Sequence, residues 1–270
     1  MKTVQSFSAL LAASLLLATT NGAAVTPPET KATARTIMMV VAHPDDENVI
    51  GGVLARLARE GHDVRLVIAT DGKYSPLATS LPEGDALGAV RRDESRCAAK
   101  ALGIPPPVFL SIDRLDTRNG VRPYLDGRKK FLALLSEQLA TVRPDMLLTF
   151  GPDGEYGHPE HIVASAALTE LLLRDGLVEQ YPLYYLAWQR EQVLDDDSLS
   201  FVAPAYLGAV ARFSDEDERK SFEAGRCYAS QFTPQEMDEM VKGAAAAENV
   251  VYFRRFRADL VAPDSVREEL

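Results

Sequence analysis

The sequence is short of positive charge. Its 270 residues carry 29 Lys and Arg against 39 Asp and Glu, a formal net charge of −10. Nucleic-acid affinity comes largely from phosphate neutralisation, so a chain this acidic is poorly suited to nucleic acid or to anionic membrane surfaces. Cysteine is scarce too: Cys97 and Cys227 stand alone, with no C-x-x-C spacing of a zinc or redox site. No G-x-G-x-x-G follows the first strand-like run, which removes the dinucleotide-binding oxidoreductases. No internal repeat, low-complexity tract or linker divides the chain. No apolar run reaches the roughly 20 residues that a membrane span needs. Histidine is rare as well, with four residues, and two of them lie in one short loop.

The N-terminus is a different matter. Lys2 is followed by the uncharged apolar run Ser8–Thr20, then by small residues at Gly22, Ala23 and Ala24. This pattern predicts a secretory signal peptide over residues 1–24. No Cys follows the run and no twin Arg precedes it, so ordinary export without a lipid or other stable membrane anchor is expected, to a secreted or periplasmic location. Residues 25–35 contain Pro-Pro and no period, and read as a flexible mature N-terminus. In an exported chain Cys97 and Cys227 could pair. Both sit in helix-like, apolar-periodic stretches, where a small buried thiol is the common state.

From residue 36 onward the pattern alternates. Continuous apolar runs (Thr36–Ala42, Asp63–Thr70, Val108–Ile112, Met146–Phe150) predict buried strands. Between them lie helix-periodic stretches at Asn48–Glu60, Leu87–Leu102, Arg128–Val142 and Pro159–Arg174. Farther on, Leu183–Trp188, Tyr206–Val210 and Val250–Phe256 read as strands, and Asp215–Gln231 and Pro234–Glu248 as helices, with an acidic loop at Asp195–Asp197. The expected architecture is a single Rossmann-like α/β domain over residues 36–270, a mostly parallel sheet with helices on both faces.

Two clusters sit where strands end. After the first strand comes A-H-P-D-D-E, which packs His43, Asp45, Asp46 and Glu47 together; after the fourth comes G-H-P-E-H, with His158, Glu160 and His161. Ligand sites of parallel α/β sheets lie beyond the carboxyl ends of the strands. If the first and fourth strands are neighbours, both clusters face one crevice. Three adjacent carboxylates repel one another, and a cation offsets that. His43, Asp46 and His161 would offer zinc two nitrogens and one oxygen. Each cluster alone has a plainer reading: Asp46 as a helix N-cap, His158 as a solvated loop histidine. Glu47 has two readings, orienting His43 or capping the helix. Gly51 and Gly52 would let the following helix pack close to the sheet. His62 falls at the opposite end of the sheet and is assigned to structure.

The paired motifs, with Gly51-Gly52 after the first, resemble the LmbE-like or PIG-L family of zinc-dependent de-N-acetylases. Arg91-x-x-Glu94 ahead of Leu102-Gly103, Asp113 after the third strand, and Ser230-Gln231 are similar to further family features. The resemblance spans about residues 36–256. It implies one Zn2+ per chain on His43, Asp46 and His161, Asp45 as general base, and His158 as the group that stabilises the oxyanion or protonates the leaving amine. It implies substrate contacts for Arg91, Asp113 and Tyr156. Glu160 stands where Asp is more usual in the family, with the charge retained. The expected activity is release of acetate from an N-acetylated amino sugar, a small molecule or oligosaccharide. A non-catalytic carbohydrate-binding protein and a metal-dependent phosphoesterase are the competing readings. The basic segment 113–130 is expected to be a loop over the strand ends, and Trp188 either stacks on a sugar or packs in the core. Oligomeric state has no signal in the sequence.

Overall fold

The computed structural model describes residues 33–192, 199–244 and 248–258. The expected signal peptide, most of the expected flexible N-terminus, the Asp195–Asp197 loop and the C-terminal residues 259–270 lie outside these. All the described secondary structure belongs to one unit, Ala34–Leu270.

Seven strands form one sheet: β1 (Thr36–Val41), β2 (Asp63–Ile68), β3 (Val108–Phe109), β4 (Met146–Thr149), β5 (Leu183–Ala187), β6 (Ala209–Arg212) and β7 (Val250–Arg255). Their spatial order is β3-β2-β1-β4-β5-β7-β6. The first five run parallel, and β7 is antiparallel to both β5 and β6. Seven α-helices accompany them among the described residues: α1 (Gly51–Arg59), α2 (Asp85–Leu102), α3 (Val121–Val142), the single turn α4 (Gly154–Gly157), α5 (Pro159–Arg174), α6 (Asp215–Gly225) and α7 (Pro234–Ala244).

The unbroken apolar character of β1 follows from burial on both faces. Ile37, Met39 and Val41 enter one core with α1 and α2 side chains such as Leu54 and Leu102. Met38, Val40 and Ala42 enter the other, with Phe131 and Leu135 of α3 and Leu168 and Leu171 of α5. Each fully buried Val, Ile or Met contributes roughly 1.5–3 kcal/mol, so both faces of β1 add to its stability. Its neighbours are β2 and β4, which brings the carboxyl ends of β1 and β4 side by side.

Several expected boundaries move. β3 stops after two residues because Ser111 adopts positive φ, although Leu110 and Ile112 still donate backbone hydrogen bonds to Ile68 and Ala69. The basic segment is a loop only to Gly120; from Val121 it is the start of α3, where Pro123 fits a first turn whose amides need no intrahelical partner. α6 ends at Gly225, so residues 226–232 turn back toward the site. Gly51 and Gly52 do permit a close approach, but to different partners. A Cβ on Gly51 would meet the Ser221 hydroxyl of α6 at 2.2 Å, and one on Gly52 the Phe213 ring at 2.5 Å. Cys97 and Cys227 are joined in a disulfide, tying α2 to the turn after α6, in place of the two buried thiols that helical periodicity suggested. No helix among the described residues is long and apolar enough to cross a membrane.

Candidate metal centre

The clusters after β1 and β4 do meet. His43, His158 and His161 each present a ring nitrogen, and the three lie within 4.8 Å of one another. Asp46 reaches into the same space. Its Oδ1 is 3.1 Å from His161 Nε2 and 3.6 Å from His43 Nδ1. Donors on a tetrahedral ion at bond lengths near 2.0–2.1 Å stand about 3.3 Å apart. The two edges that Asp46 makes with His43 and His161 are of that order and the histidine nitrogens lie within 4.8 Å of one another, a donor set compatible with a small divalent ion. Asp46 Oδ2 is already occupied, accepting the backbone N–H groups of Ala42 and His43 at 3.0 and 2.8 Å. It ties the end of β1, not the following helix, which removes the capping reading and leaves Oδ1 for a cation.

Both ligand imidazoles are oriented from outside. His43 Nε2 donates to Glu160 Oε2 at 2.8 Å, which leaves the Nδ1 lone pair facing Asp46. The other Glu160 oxygen accepts the Leu115 backbone N–H. His161, 3% exposed, lies flat on Phe150 with ring centroids 4.0 Å apart and planes parallel within 1°. Its Nδ1 is buried without a hydrogen-bond partner and is 3.8 Å from Glu155 Oε2. Carboxylates behind ligating histidines fix the tautomer and raise basicity. Glu160 is therefore a functional residue that the sequence reading did not assign to this task, and Glu155 stands behind His161 without a hydrogen bond to it. Their adjacency to His158 and His161 in D-G-E-Y-G-H-P-E-H was the available signal.

Asp45 sits beside the ligands in left-handed backbone (φ 89°), an unfavourable conformation for a residue with a Cβ that is often retained at functional sites. Its carboxylate pairs with Arg91 Nη2 at 3.1 Å. Burial pushes the Asp45 carboxyl up to about 7, with Arg91 pulling the other way. Arg91 itself is 2% exposed and spends its guanidinium on protein groups, donating to the Gly72 carbonyl at 2.8 Å and the Pro44 carbonyl at 2.7 Å. The geometry makes it a holder of Asp45, and it also lines the cavity over the site, where the family resemblance implied a sugar contact. Burial pushes His158 down to about 4, which disfavours the imidazolium that oxyanion stabilisation by charge would call for. His158 Nδ1 accepts the Glu160 N–H at 3.3 Å, capping α5 and placing the ring hydrogen on Nε2.

A cavity of about 210 Å³ opens over these groups, lined also by Tyr74, Asp113, Arg114, Tyr156 and Gln231. Tyr156 is half exposed at its wall. Asp113 is engaged by the Tyr74 hydroxyl at 3.0 Å and by Lys73 at 2.9 Å, which hold its carboxyl below the usual range against the opposing effect of burial. Glu47 is fully buried; burial pushes it up to about 8, and it receives the Tyr228 hydroxyl. It neither orients His43 nor caps a helix. Trp188 is not among the lining residues. His62 lies at the far end of β2, its Nδ1 accepting the Arg35 N–H at 3.1 Å, as a structural residue would.

A mostly parallel, doubly covered sheet with histidines and a carboxylate gathered at adjoining strand ends defines an α/β protein with a site that could hold a metal ion. Residues 38–172 match the family described as PIG-L: GlcNAc-PI de-N-acetylase, and the chain belongs to that family. Among curated relatives, a 1D-myo-inositol 2-acetamido-2-deoxy-alpha-D-glucopyranoside deacetylase of Rhodococcus erythropolis is 32% identical over 155 residues, covering 51% of this chain and 53% of the relative. The chain thus matches about half the length of the curated relatives. Among solved structures, the N,N'-diacetylchitobiose deacetylase from Pyrococcus horikoshii aligns with a TM-score of 0.58 at 22% identity, covering 83% of this chain and 84% of that one. GalB, the 4-carboxy-2-hydroxymuconate hydratase from Pseudomonas putida, aligns with the same TM-score at 18% identity, covering 86% of this chain and all of that one. The shared fold therefore does not by itself select the chemistry.

Proposed function

We propose that the protein is a metal-dependent hydrolase that removes the acetyl group from an N-acetylglucosamine-type amino sugar, giving acetate and a free amine. The observation that carries this reading is a free-standing acid beside a complete ligand set. Asp45 lies next to Asp46 in the chain, is not part of the His43–Asp46–His161 triangle, and is held by Arg91 at 3.1 Å. A binding protein has no use for a base placed there.

The donor set of two imidazoles and one carboxylate suits zinc. Bound there, such an ion supplies Lewis-acid polarisation of the acetyl carbonyl and a water that ionises near neutral pH. The chain's own residues do the rest. Asp45 accepts the proton of the attacking water, a role worth roughly 10²–10⁴-fold. Arg91 keeps that carboxylate aimed while leaving it basic. His158 donates from Nε2–H to the carbonyl oxygen as negative charge develops, worth about 3 kcal/mol. The proton taken by Asp45 then goes to the leaving nitrogen as the C–N bond breaks. Glu160 holds the His43 imidazole throughout, and Phe150 stacks on that of His161.

Export belongs to the same proposal. The apolar run Ser8–Thr20 favours secretion, and a disulfide between Cys97 and Cys227 suits an oxidising compartment. An extracellular or periplasmic enzyme would meet amino sugars, oligosaccharides or glycosylated natural products. The decisive experiment is an acetate-release screen across N-acetylated glycans, run with and without chelator. Chelator-sensitive acetate release supports the reading; no release from any N-acetylated sugar by metal-loaded protein overturns it.

A further inference from the structure

The run Arg254-Arg255-Phe256-Arg257 ends β7 and continues past it, and the metal centre uses none of it. It puts three of the chain's 29 basic residues within one short stretch of an acidic protein. All three arginines line one cavity of about 750 Å³ along the β5–β7 pair. That cavity shares no lining residue with the one over the metal centre, and no Asp or Glu lines it among the described residues. We propose that it is a second binding site, one that takes a phosphate monoester whose organic part carries a ring.

Like charges gathered this closely repel one another, and an anion offsets that. Protein carboxylates do not supply it. Among the described residues none of the three guanidiniums has an ion pair, whereas Arg212 of β6 has Glu248 at 3.5 Å. The Arg254 guanidinium lies over the Tyr185 ring, its carbon 5.2 Å from the centroid. An arginine held by its face keeps its in-plane N–H donors for another group. The platform beneath it is fixed. Tyr185 is 4% exposed, and its hydroxyl is 2.6 Å from Thr169 Oγ1 of α5. Thr169 spends its own hydrogen on the Ser165 carbonyl at 2.8 Å, so Tyr185 is the donor. The β5–β7 register sets Arg254 opposite Tyr185 and Arg255 opposite Tyr184. The cationic array therefore rests on paired strands and a helix, as a preformed site needs.

The chemistry of the lining selects the occupant. A cavity of this size suits a small organic ligand. Guanidinium forks pair with carboxylate or phosphate oxygens. One carboxylate offers two oxygens, which serve one fork. A phosphate monoester offers three oxygens and about 1.5–2 negative charges, enough for more than one arginine. Tyr184 and Tyr206, the latter 67% exposed, add aromatic faces on which a ring can lie. Inorganic phosphate would leave those faces unused, and a neutral sugar would leave the guanidiniums unpaired.

Calorimetry on the zinc-loaded protein compares glucose 6-phosphate with inorganic phosphate and with glucose. Glucose 6-phosphate is expected to bind about tenfold tighter than inorganic phosphate, tighter still than glucose, and more weakly as salt is added. Arg255 and Arg257 are exposed, so replacing them leaves the core intact. Arg255→Gln and Arg257→Gln should each weaken binding about tenfold with the melting temperature unchanged. Phosphate can also ligate zinc, so the titration is repeated on His161→Ala, which should keep the affinity. The proposal is overturned by no binding of glucose 6-phosphate, by equal affinity for glucose or inorganic phosphate, or by unchanged affinity when both Arg255 and Arg257 are replaced. Loss of binding in His161→Ala overturns it too, because that would locate the phosphate at the metal centre. Acetate release enters none of these readouts, so the result stands whatever becomes of the deacetylase reading.

Discussion

Glu160 receives a hydrogen bond from His43 Nε2 at 2.8 Å, joining residues 117 positions apart. The contact crosses from the loop after β1 to the first turn of α5, and it decides which nitrogen of His43 faces Asp46. Without it the imidazole can rotate or take the other tautomer. Glu160→Ala is therefore expected to keep the fold but to weaken metal affinity about 10–100-fold. Metal titration against a competing chelator measures this. Unchanged affinity would mean that the ring is held by packing alone.

Asp45 and His161 should separate cleanly by what they lose. Asp45→Ala removes the proposed base and leaves the ligand triangle intact, so metal content stays near one per chain while kcat falls about 10²–10⁴-fold. His161→Ala removes a ligand and should lose the metal. Elemental analysis beside kinetics reads both at once. Stoichiometric metal in His161→Ala, or joint loss of metal and activity in Asp45→Ala, would reassign the roles.

Arg91 carries a different expectation. It is buried, pairs with Asp45, and donates to the Gly72 and Pro44 carbonyls. Arg91→Met would leave the partly buried Asp45 carboxylate without its partner, a change that costs at most about 3–5 kcal/mol. Denaturant unfolding should show that loss, and kcat should fall with little change in KM. A raised KM with unaltered stability would point back to the substrate contact that the family resemblance implied.

How much of this was legible beforehand follows from what sequence patterns encode. β1 and the helices around it were readable because Ile37–Val41 is apolar at every position and must be buried on both faces. The meeting of His43, Asp46 and His161 was readable because parallel strands place their following loops at one end of the sheet. Contacts between distant side chains were not. Nothing in the periodicity of α2 says that Arg91 reaches Pro44 or that Glu94 accepts Ser230 N–H and Oγ–H at 2.8 and 2.6 Å. The start of α3 was missed because charge and an Asn-Gly pair masked a helix whose buried face begins only at Phe131.

The disulfide was the other contact that local pattern could not reveal. Cys97 and Cys227 are 130 residues apart. The link clamps α2, which bears Arg91 and Glu94, to the turn bearing Tyr228 and Ser230. Closing so long a loop is worth about 4–5 kcal/mol in chain-entropy terms. The double variant Cys97→Ser/Cys227→Ser should lose stability of that order. It should also lose activity beyond the unfolded fraction, because Glu47 and Arg91 are both reached through the clamped segments. A Tm within about a degree of wild type would show that the hydrogen-bonded contacts suffice.

Acid stability should depend on Asp217, far from the site. Its side chain is fully buried, accepts two hydrogen bonds from Arg59 at 2.9 and 2.8 Å, and completes a capping box with Ser214 at the start of α6. The Arg59 hydrogen bonds hold its carboxyl well below the usual carboxylate range, with burial opposing. A group depressed in the folded state binds protons more weakly there than when unfolded. Its stabilising contribution is complete above the unfolded value near 3.9 and is lost as pH falls through the lower folded value. Wild type should therefore lose stability steadily below about pH 4, and Asp217→Asn should start less stable and show a flatter acid limb. Denaturant midpoints measured from pH 2 to 7 check this. Parallel curves for the two proteins would mean that other carboxylates carry the acid sensitivity.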